Sequence, residues 1–171
     1  MTSSCNTITV RPLAGDEWPL YRALRLRSLA DAPAAFGSTL AAEQDRADAD
    51  WAWRLGLAAT SGRDRPLVAE LDGAAAGLAW AKFDAHDPQV VNLFQMWVAP
   101  EGRGQGAAAA LLADAVAWAR SRNARTMQLG VTEGNDAARK LYERAGFCAV
   151  GVPQPVRPGD ARLEQMMRLA L

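Results

Sequence analysis

Apolar and polar positions alternate along Thr7-Ile8-Thr9-Val10-Arg11-Pro12-Leu13, the period of a strand with one buried face. The period then lengthens. Behind Asp16-Glu17-Trp18-Pro19, an N-cap with an early proline, Leu20, Leu24, Leu26 and Leu29 predict a helix that Asp31-Ala32-Pro33 stops. A second helix is expected over Leu40 to Leu57. Pro66 to Leu71 and Ala74 to Phe83 read as two strands joined by Asp72-Gly73, a two-residue hairpin signal. Val90 to Val98 is a nearly continuous apolar and aromatic run of strand length, closed by Pro100. Ala107 to Arg120 lacks breakers and sets Leu111, Leu112, Ala115, Val116 and Ala119 on one helical stripe. A strand over Thr126 to Val131, a helix opened by Asn135 and two C-terminal strands complete the order β-α-α-β-β-β-α-β-α-β-β. That order predicts a mixed α/β (α+β) layer fold around a mostly antiparallel sheet.

The segment Pro100-Glu101-Gly102-Arg103-Gly104-Gln105-Gly106-Ala107-Ala108 joins the longest apolar strand to the alanine-rich helix. Glycine lets the main chain approach a ligand closely, and a helix start presents unpaired N–H groups with a partial positive charge, so this junction suits a pyrophosphate. A plain strand-to-helix connection also uses glycine. The spacing Arg103-x-x-Gly106-x-Ala108 resembles the acetyl-CoA signature of the GNAT superfamily of N-acetyltransferases. The run Asn135-Asp136-Ala137-Ala138-Arg139-Lys140-Leu141-Tyr142-Glu143-Arg144-Ala145-Gly146-Phe147 resembles the second signature of that family, and both occur in the family's order. Together they span Val90 to Phe147, a third of the chain. A weaker likeness runs through Arg25-x-x-Ser28-Leu29 and Ala35-Phe36-Gly37-Ser38-Thr39.

The resemblance implies a sheet that splays open after its central strand, with the pantetheine arm of acetyl-CoA lying in the gap as a false extra strand. Met96, Trp97 and Val98 would then bond the arm, and Arg103, Gly104, Gln105, Gly106, Ala107 and Ala108 would hold the pyrophosphate. Asn135 and Ala138 would sit beside the pantetheine. Ala138, Leu141, Tyr142 and Ala145 share one helix face, and the resemblance assigns the Tyr142 phenol to protonating the departing thiolate. Each role has a structural alternative: Asn135 as a helix cap, Arg103 paired with Glu101, Tyr142 as a core residue bonded to backbone. Family members with a glutamate base place it where this sequence has Asn92, and an amide cannot take a proton. Either Asn92 positions a water, or an acid elsewhere serves, with Glu43 first and Asp84 second, or the acceptor amine arrives neutral.

At 171 residues with 50% hydrophobic content the chain is expected to form one domain over residues 1–171. Its 19 basic and 19 acidic residues cancel, which argues against nucleic acid or an anionic membrane as partner. No bilayer-length apolar run occurs, and Met1-Thr2-Ser3-Ser4-Cys5 lacks signal-peptide character, so the expected location is cytoplasmic. Cys5 and Cys148 lack metal-ligand spacing and read as free thiols, His86 reads as a surface residue, and no metal is implied. The acceptor is expected to be a small-molecule or peptide amine. Trp18, Glu43, Asp45, Asp48, Asp50, Trp51 and Trp53 could line a mouth for a cationic amine, or form a solvated acidic face with core tryptophans. Phe36-Gly37-Ser38-Thr39 could shape that mouth, and a homodimer is common in such folds. Two other functions fit parts of the pattern. One is an acyl-CoA-binding module without turnover. The other is a dinucleotide-binding oxidoreductase using Gly104-x-Gly106-x-x-Ala109, although Glu133 falls 29 positions after Gly104 and not about 20.

Overall fold

The computed structural model describes residues 6–171 and forms an eight-stranded sheet with helices on both faces. In chain order the elements are β1 (Ile8–Pro12), α1 (Trp18–Asp31), α2 (Leu40–Gln44), α3 (Asp48–Ser61), β2 (Asp64–Leu71), β3 (Ala74–Phe83) and β4 (Val90–Val98). They continue with α4 (Ala107–Ser121), β5 (Thr126–Thr132), α5 (Asp136–Arg144), β6 (Cys148–Ala149), β7 (Gln154–Pro155) and β8 (Leu163–Ala170). The strand order is β1-β2-β3-β4-β5-β8-β6, with β7 on β8. Every pairing is antiparallel except β4 with β5, whose ends α4 connects across one face. The Asp72-Gly73 hairpin is present, both residues having positive φ (50° and 82°), as a tight primed turn demands.

Two apolar cores flank the sheet. On one face Leu67, Ala79, Ala81, Val91, Leu93 and Val98 meet Leu111, Leu112, Ala115 and Ala119 of α4, with Tyr142 and Phe147 closing the far side. On the other, Val68, Leu78, Trp80 and Trp97 meet Tyr21, Leu24 and Leu29 of α1 and Trp51 and Leu55 of α3. Full burial of each large side chain contributes roughly 1.5–3 kcal/mol.

Two expectations need correction. The helix over Leu40 to Leu57 is two helices, broken at Asp45-Arg46-Ala47, where Ala47 turns extended (ψ 149°). Aspartates support a helix interior poorly, and the break turns Glu43 inward between Arg46 (3.3 Å) and Arg54 (3.6 Å). The two C-terminal strands are one long strand, β8, flanked by two-residue fragments β6 and β7. Pro153, Pro155 and Pro158 remove ladder donors between them, so no continuous partner strand can form.

Candidate active site

β4 and β5 pair only over Val90↔Thr126, Val91↔Met127 and Asn92↔Gln128. Beyond that point β4 stays with β3 up to Val98 and β5 follows β8 up to Thr132, so the sheet opens as a V. From Leu93 onward the edge of β4 that faces β5 has no strand partner. Gln95 and Met96 together oppose Ala79, a bulge that holds Gln95 at φ 56°, and the Tyr21 hydroxyl donates to Gln95 Oε1 at 3.0 Å. A left-handed non-glycine residue costs about 1–2 kcal/mol, and a bulge of this kind re-aims backbone groups out of the ladder. Trp97 turns its ring into the α1 core, whereas Met96 and Val98 face the α4 core.

At the end of β4 the chain enters the glycine turn. Gly104 (φ 73°) and Gly106 (φ 90°) are left-handed, and Gly106 caps α4 with no side chain to satisfy the helix start. The first helical bond runs from the Ala110 N–H to the Gly106 carbonyl (3.0 Å). From Gly104 to Ala109, six successive backbone N–H groups have no acceptor among the described residues. Ala107 is buried under the helix and Ala108 half-buried, so the cradle is made of backbone. Such a row, at the positive end of a fifteen-residue helix, has the geometry and partial charge that suit an anion.

The side chains of the turn are used internally. Arg103 donates from Nε to the Val98 carbonyl (3.1 Å) and pairs through Nη2 with Asp31. It does not pair with Glu101, whose carboxylate takes both arms of Arg27 (2.7 and 2.8 Å). Asp31 also accepts from Trp97 Nε1 (2.8 Å), and that bond, followed by Arg103, holds its carboxyl below the usual aspartate range. The guanidinium is therefore a clamp between α1 and the end of β4. Gln105 folds back onto the Glu101 carbonyl (2.8 Å) and accepts from Asn6, leaving its backbone for a ligand.

α5 borders the other wall of the V. Asn135 is its cap, accepting from the Ala138 N–H (3.3 Å). The residues Val131, Thr132, Glu133, Gly134, Asn135, Asp136, Arg139 and Gln165 line a cavity of about 90 Å³ at its start. Half-buried Ala138 and Leu141 pack with Tyr142 against the α4-side core. Tyr142 is buried, 5.8 Å from the Phe147 ring, and burial pushes its phenol up to about 12. The backbone bond expected of a core tyrosine is absent among the described residues. A phenol that stays protonated with no internal acceptor can give its proton to a ligand.

The remaining acid and base candidates lie elsewhere than expected. Asn92 bridges the apex of the V: its Nδ2 donates to Asp84 (2.9 Å), and its Oδ1 accepts from Gln128 (2.7 Å), which in turn accepts from Arg168 (3.0 Å). Both ends of the amide are occupied, so Asn92 is a pin between β4 and β5. Asp84 also caps the N–H groups of His86 and Asp87, and these bonds, that from Asn92 foremost, depress its pKa and make it a poor base. Glu43 is buried among guanidinium groups, accepting a hydrogen bond from Arg46 (3.3 Å) and paired with Arg54. The acidic aromatic mouth is likewise not assembled: Trp51 is core, Trp53 is 70% exposed, and Asp48 faces Arg22 at 3.8 Å. What lies under α1 and α3 instead is cationic. Arg25 is buried beside the Phe36 ring (4.8 Å), with Nε and Nη1 lacking partners among the described residues.

One carboxylate escaped the sequence reading. Glu164 on β8 lies opposite Thr132 and leans over Gly130, where a Cβ would stand 2.6 Å from its Oε2. It makes no ion pair or hydrogen bond among the described residues, and burial raises its pKa. The only signal in the sequence is a glutamate alternating with Met166 and Arg168 on a late strand, which resembles any solvated edge. The same end of the chain holds the loop between Pro33 and Gly37: Arg157 donates to the Gly37 carbonyl (2.8 Å) and Arg162 to the Pro33 carbonyl (3.1 Å). Asp160 joins both arginines (3.2 and 2.7 Å) and is held at about 2, chiefly by its bond from Arg162. Cys148 is an exposed free thiol and His86 is exposed, whereas Cys5 lies outside the described residues. Among the described residues no group of three or more His, Cys, Asp or Glu could hold a metal ion, and no helix is long and apolar enough to cross a membrane.

The acetyltransferase (GNAT) family model matches residues 24–147. A mycothiol acetyltransferase from Thermobispora bispora is 31% identical over 137 residues, 78% of this chain and 43% of that protein. The chain thus spans less than half the length of the curated relatives it matches. Among solved structures, a ribosomal-protein-alanine N-acetyltransferase from Brucella melitensis superposes with a TM-score of 0.78 at 23% identity, covering 95% of this chain and 99% of that one. The RimL ribosomal α-N-protein acetyltransferase in complex with coenzyme A superposes at 0.79 and 16% identity, covering 96% and 94%. At these identities the structural likeness establishes the fold, a mixed α/β fold with a mostly antiparallel, open sheet.

Proposed function

Because the chain belongs to the acetyltransferase (GNAT) family, we propose that it transfers the acetyl group of acetyl-CoA to a primary amine of a small molecule or peptide, by direct attack in a ternary complex. The observation that carries this reading is the row of unpaired N–H groups from Gly104 to Ala109 beside the unpartnered edge of β4. The row takes the pyrophosphate. The free edge around Met96, Trp97 and Val98 takes the amides of the pantetheine arm, which relieves backbone groups that cost ~1–3 kcal/mol each when buried unpaired. Asn135 and Ala138 border the arm from α5. Tyr142 gives its proton to the leaving thiolate, burial having kept the phenol protonated until that charge develops beside it. This single acetyltransferase domain works in the cytoplasm.

On the acceptor side, the surplus of guanidinium around Arg25 favours amines whose molecules also carry a carboxylate over polyamines. The test is a panel of amino acids, peptides and polyamines incubated with acetyl-CoA while free thiol is measured. Turnover with one amine class, led by carboxylate-bearing amines, is expected. Binding of acetyl-CoA without turnover for any amine would leave an acyl-CoA-binding module. A melting comparison covers the ligand itself, since saturation at 100 times Kd stabilises by about 2.7 kcal/mol. Stabilisation by NAD and not by acetyl-CoA would overturn the reading.

A further inference from the structure

An amine acceptor arrives at neutral pH mostly as an ammonium ion and must lose a proton before its nitrogen can attack. Asn92 has both ends occupied, Asp84 is tied into a turn, and Glu43 is paired with arginines. The two faces of the V are also unequal. α4 and α5 cover one face, so the cradle and Tyr142 meet the thioester from there, and the acceptor must enter from the other. Met127, Leu129 and Val131 point into the α4-side core, so Gln128, Gly130 and Thr132 face the acceptor side together with Asn92 and the half-exposed ring of Phe94.

We infer that Glu164 is the general base of the transfer, its carboxylate placed on the acceptor face of the V by the missing side chain of Gly130. Its Oε2, Cδ and Oε1 lie 2.6, 2.9 and 3.2 Å from the position of a Cβ at that glycine. Any other residue there would push the carboxylate away. Burial, with no ion pair among the described residues, makes the group a stronger base than a surface glutamate. Glu164 takes one proton from the ammonium ion and releases it to solvent. The freed nitrogen pair forms the C–N bond as the carbonyl pair moves onto oxygen. Collapse breaks the C–S bond, the thiolate takes the Tyr142 proton, and the proton remaining on nitrogen returns through solvent to the phenolate. One ammonium and one thioester yield one amide, one thiol and one proton.

This inference rests on the acetyltransferase reading, and the experiment separates the two. Glu164→Gln keeps the shape and removes the base, so kcat/KM at neutral pH should fall ~10²- to 10⁴-fold, with the gap to the parent closing at alkaline pH where the amine is already neutral. Gly130→Ala leaves the charge and moves the carboxylate. Gly130 has an ordinary φ and the obstructing atoms are the end of a flexible side chain, so this variant should keep the parental melting temperature while losing activity. A readout independent of turnover is the Glu164 carboxyl titration by carbon NMR in the unliganded protein. It should lie above an ordinary glutamate and move towards one in Gly130→Ala. If the parent releases no thiol with any amine, the function itself fails and the base with it. If the parent turns over and Glu164→Gln keeps its rate and pH profile, the base assignment alone is overturned.

Discussion

The two faces of the V are built in opposite ways. On the α4 and α5 face the main-chain N–H groups from Gly104 to Ala109 and the Tyr142 phenol have no partner among the described residues. On the acceptor face side chains are linked in closed sets: Asp84, Asn92, Gln128 and Arg168 across the apex, and Arg157, Asp160 and Arg162 around the Pro33–Gly37 loop. Glu164 is the exception there, and Tyr142 is its counterpart on the other face. In both faces the residue we propose for the chemistry is the one that the rest of the described structure does not use.

The sharpest way to break that contrast is Tyr142→Phe. With no internal acceptor to orphan, the variant should keep its melting temperature and its acetyl-CoA affinity while kcat falls ~10²- to 10⁴-fold. A rate near the parent would make Tyr142 a packing residue. The cradle is tested by strain-matched glycines. Gly106→Val and Gly73→Val place a β-branched residue at φ 90° and 82°, and both should lower stability by about 1–3 kcal/mol. Only Gly106→Val should also lose acetyl-CoA affinity, measured by calorimetry below the melting temperature of either variant. Equal affinities would move the phosphate site elsewhere.

Asn92→Ala probes the acceptor face. It leaves Asp84 and Gln128 short of a partner at the apex, so stability should fall by about 1 kcal/mol, read from denaturant midpoints, with any rate change secondary. A rate loss without a stability loss would restore Asn92 to the chemistry. The smallest effect belongs to Asp160→Asn. Its native carboxyl is held at about 2 against an ordinary 3.8, so the stability it contributes is present above pH 3.8 and lost as pH falls from 3.8 towards 2. The variant should lack that acid-side slope, and its KM for the amine should rise while that for acetyl-CoA stays put. A rise in both would show that the C-terminal loop also serves the cofactor face.

The α4 face was legible in the sequence because its determinants are local. Gly104, Gly106 and the helix behind them act through backbone geometry within a few residues, and Asn135 to Phe147 is one capped helix with its apolar stripe. Strand and helix periods carried the order of elements for the same reason. Locality also explains the errors. Arg103 reads locally as a phosphate contact or as the partner of its neighbour Glu101, whereas in the fold Asp31, seventy-two positions away, takes its guanidinium. Glu43 reads as an exposed acid on a helix until Arg46 and Arg54 close around it.

The sequence by itself therefore determined the strand and helix order from β1 to α5 apart from the break between α2 and α3, together with the left-handed glycine turn and the Asn135-capped helix, since hydrophobic period, glycine conformation and helix capping depend on residues close together in the chain. Only the tertiary structure decided which side chains remain free to react. That depends on register: one β8 residue meeting one β5 glycine puts Glu164 over Gly130, and the Asn92↔Gln128 pairing closes the apex before the strands part. Such contacts join segments thirty or more residues apart, and no local pattern encodes them.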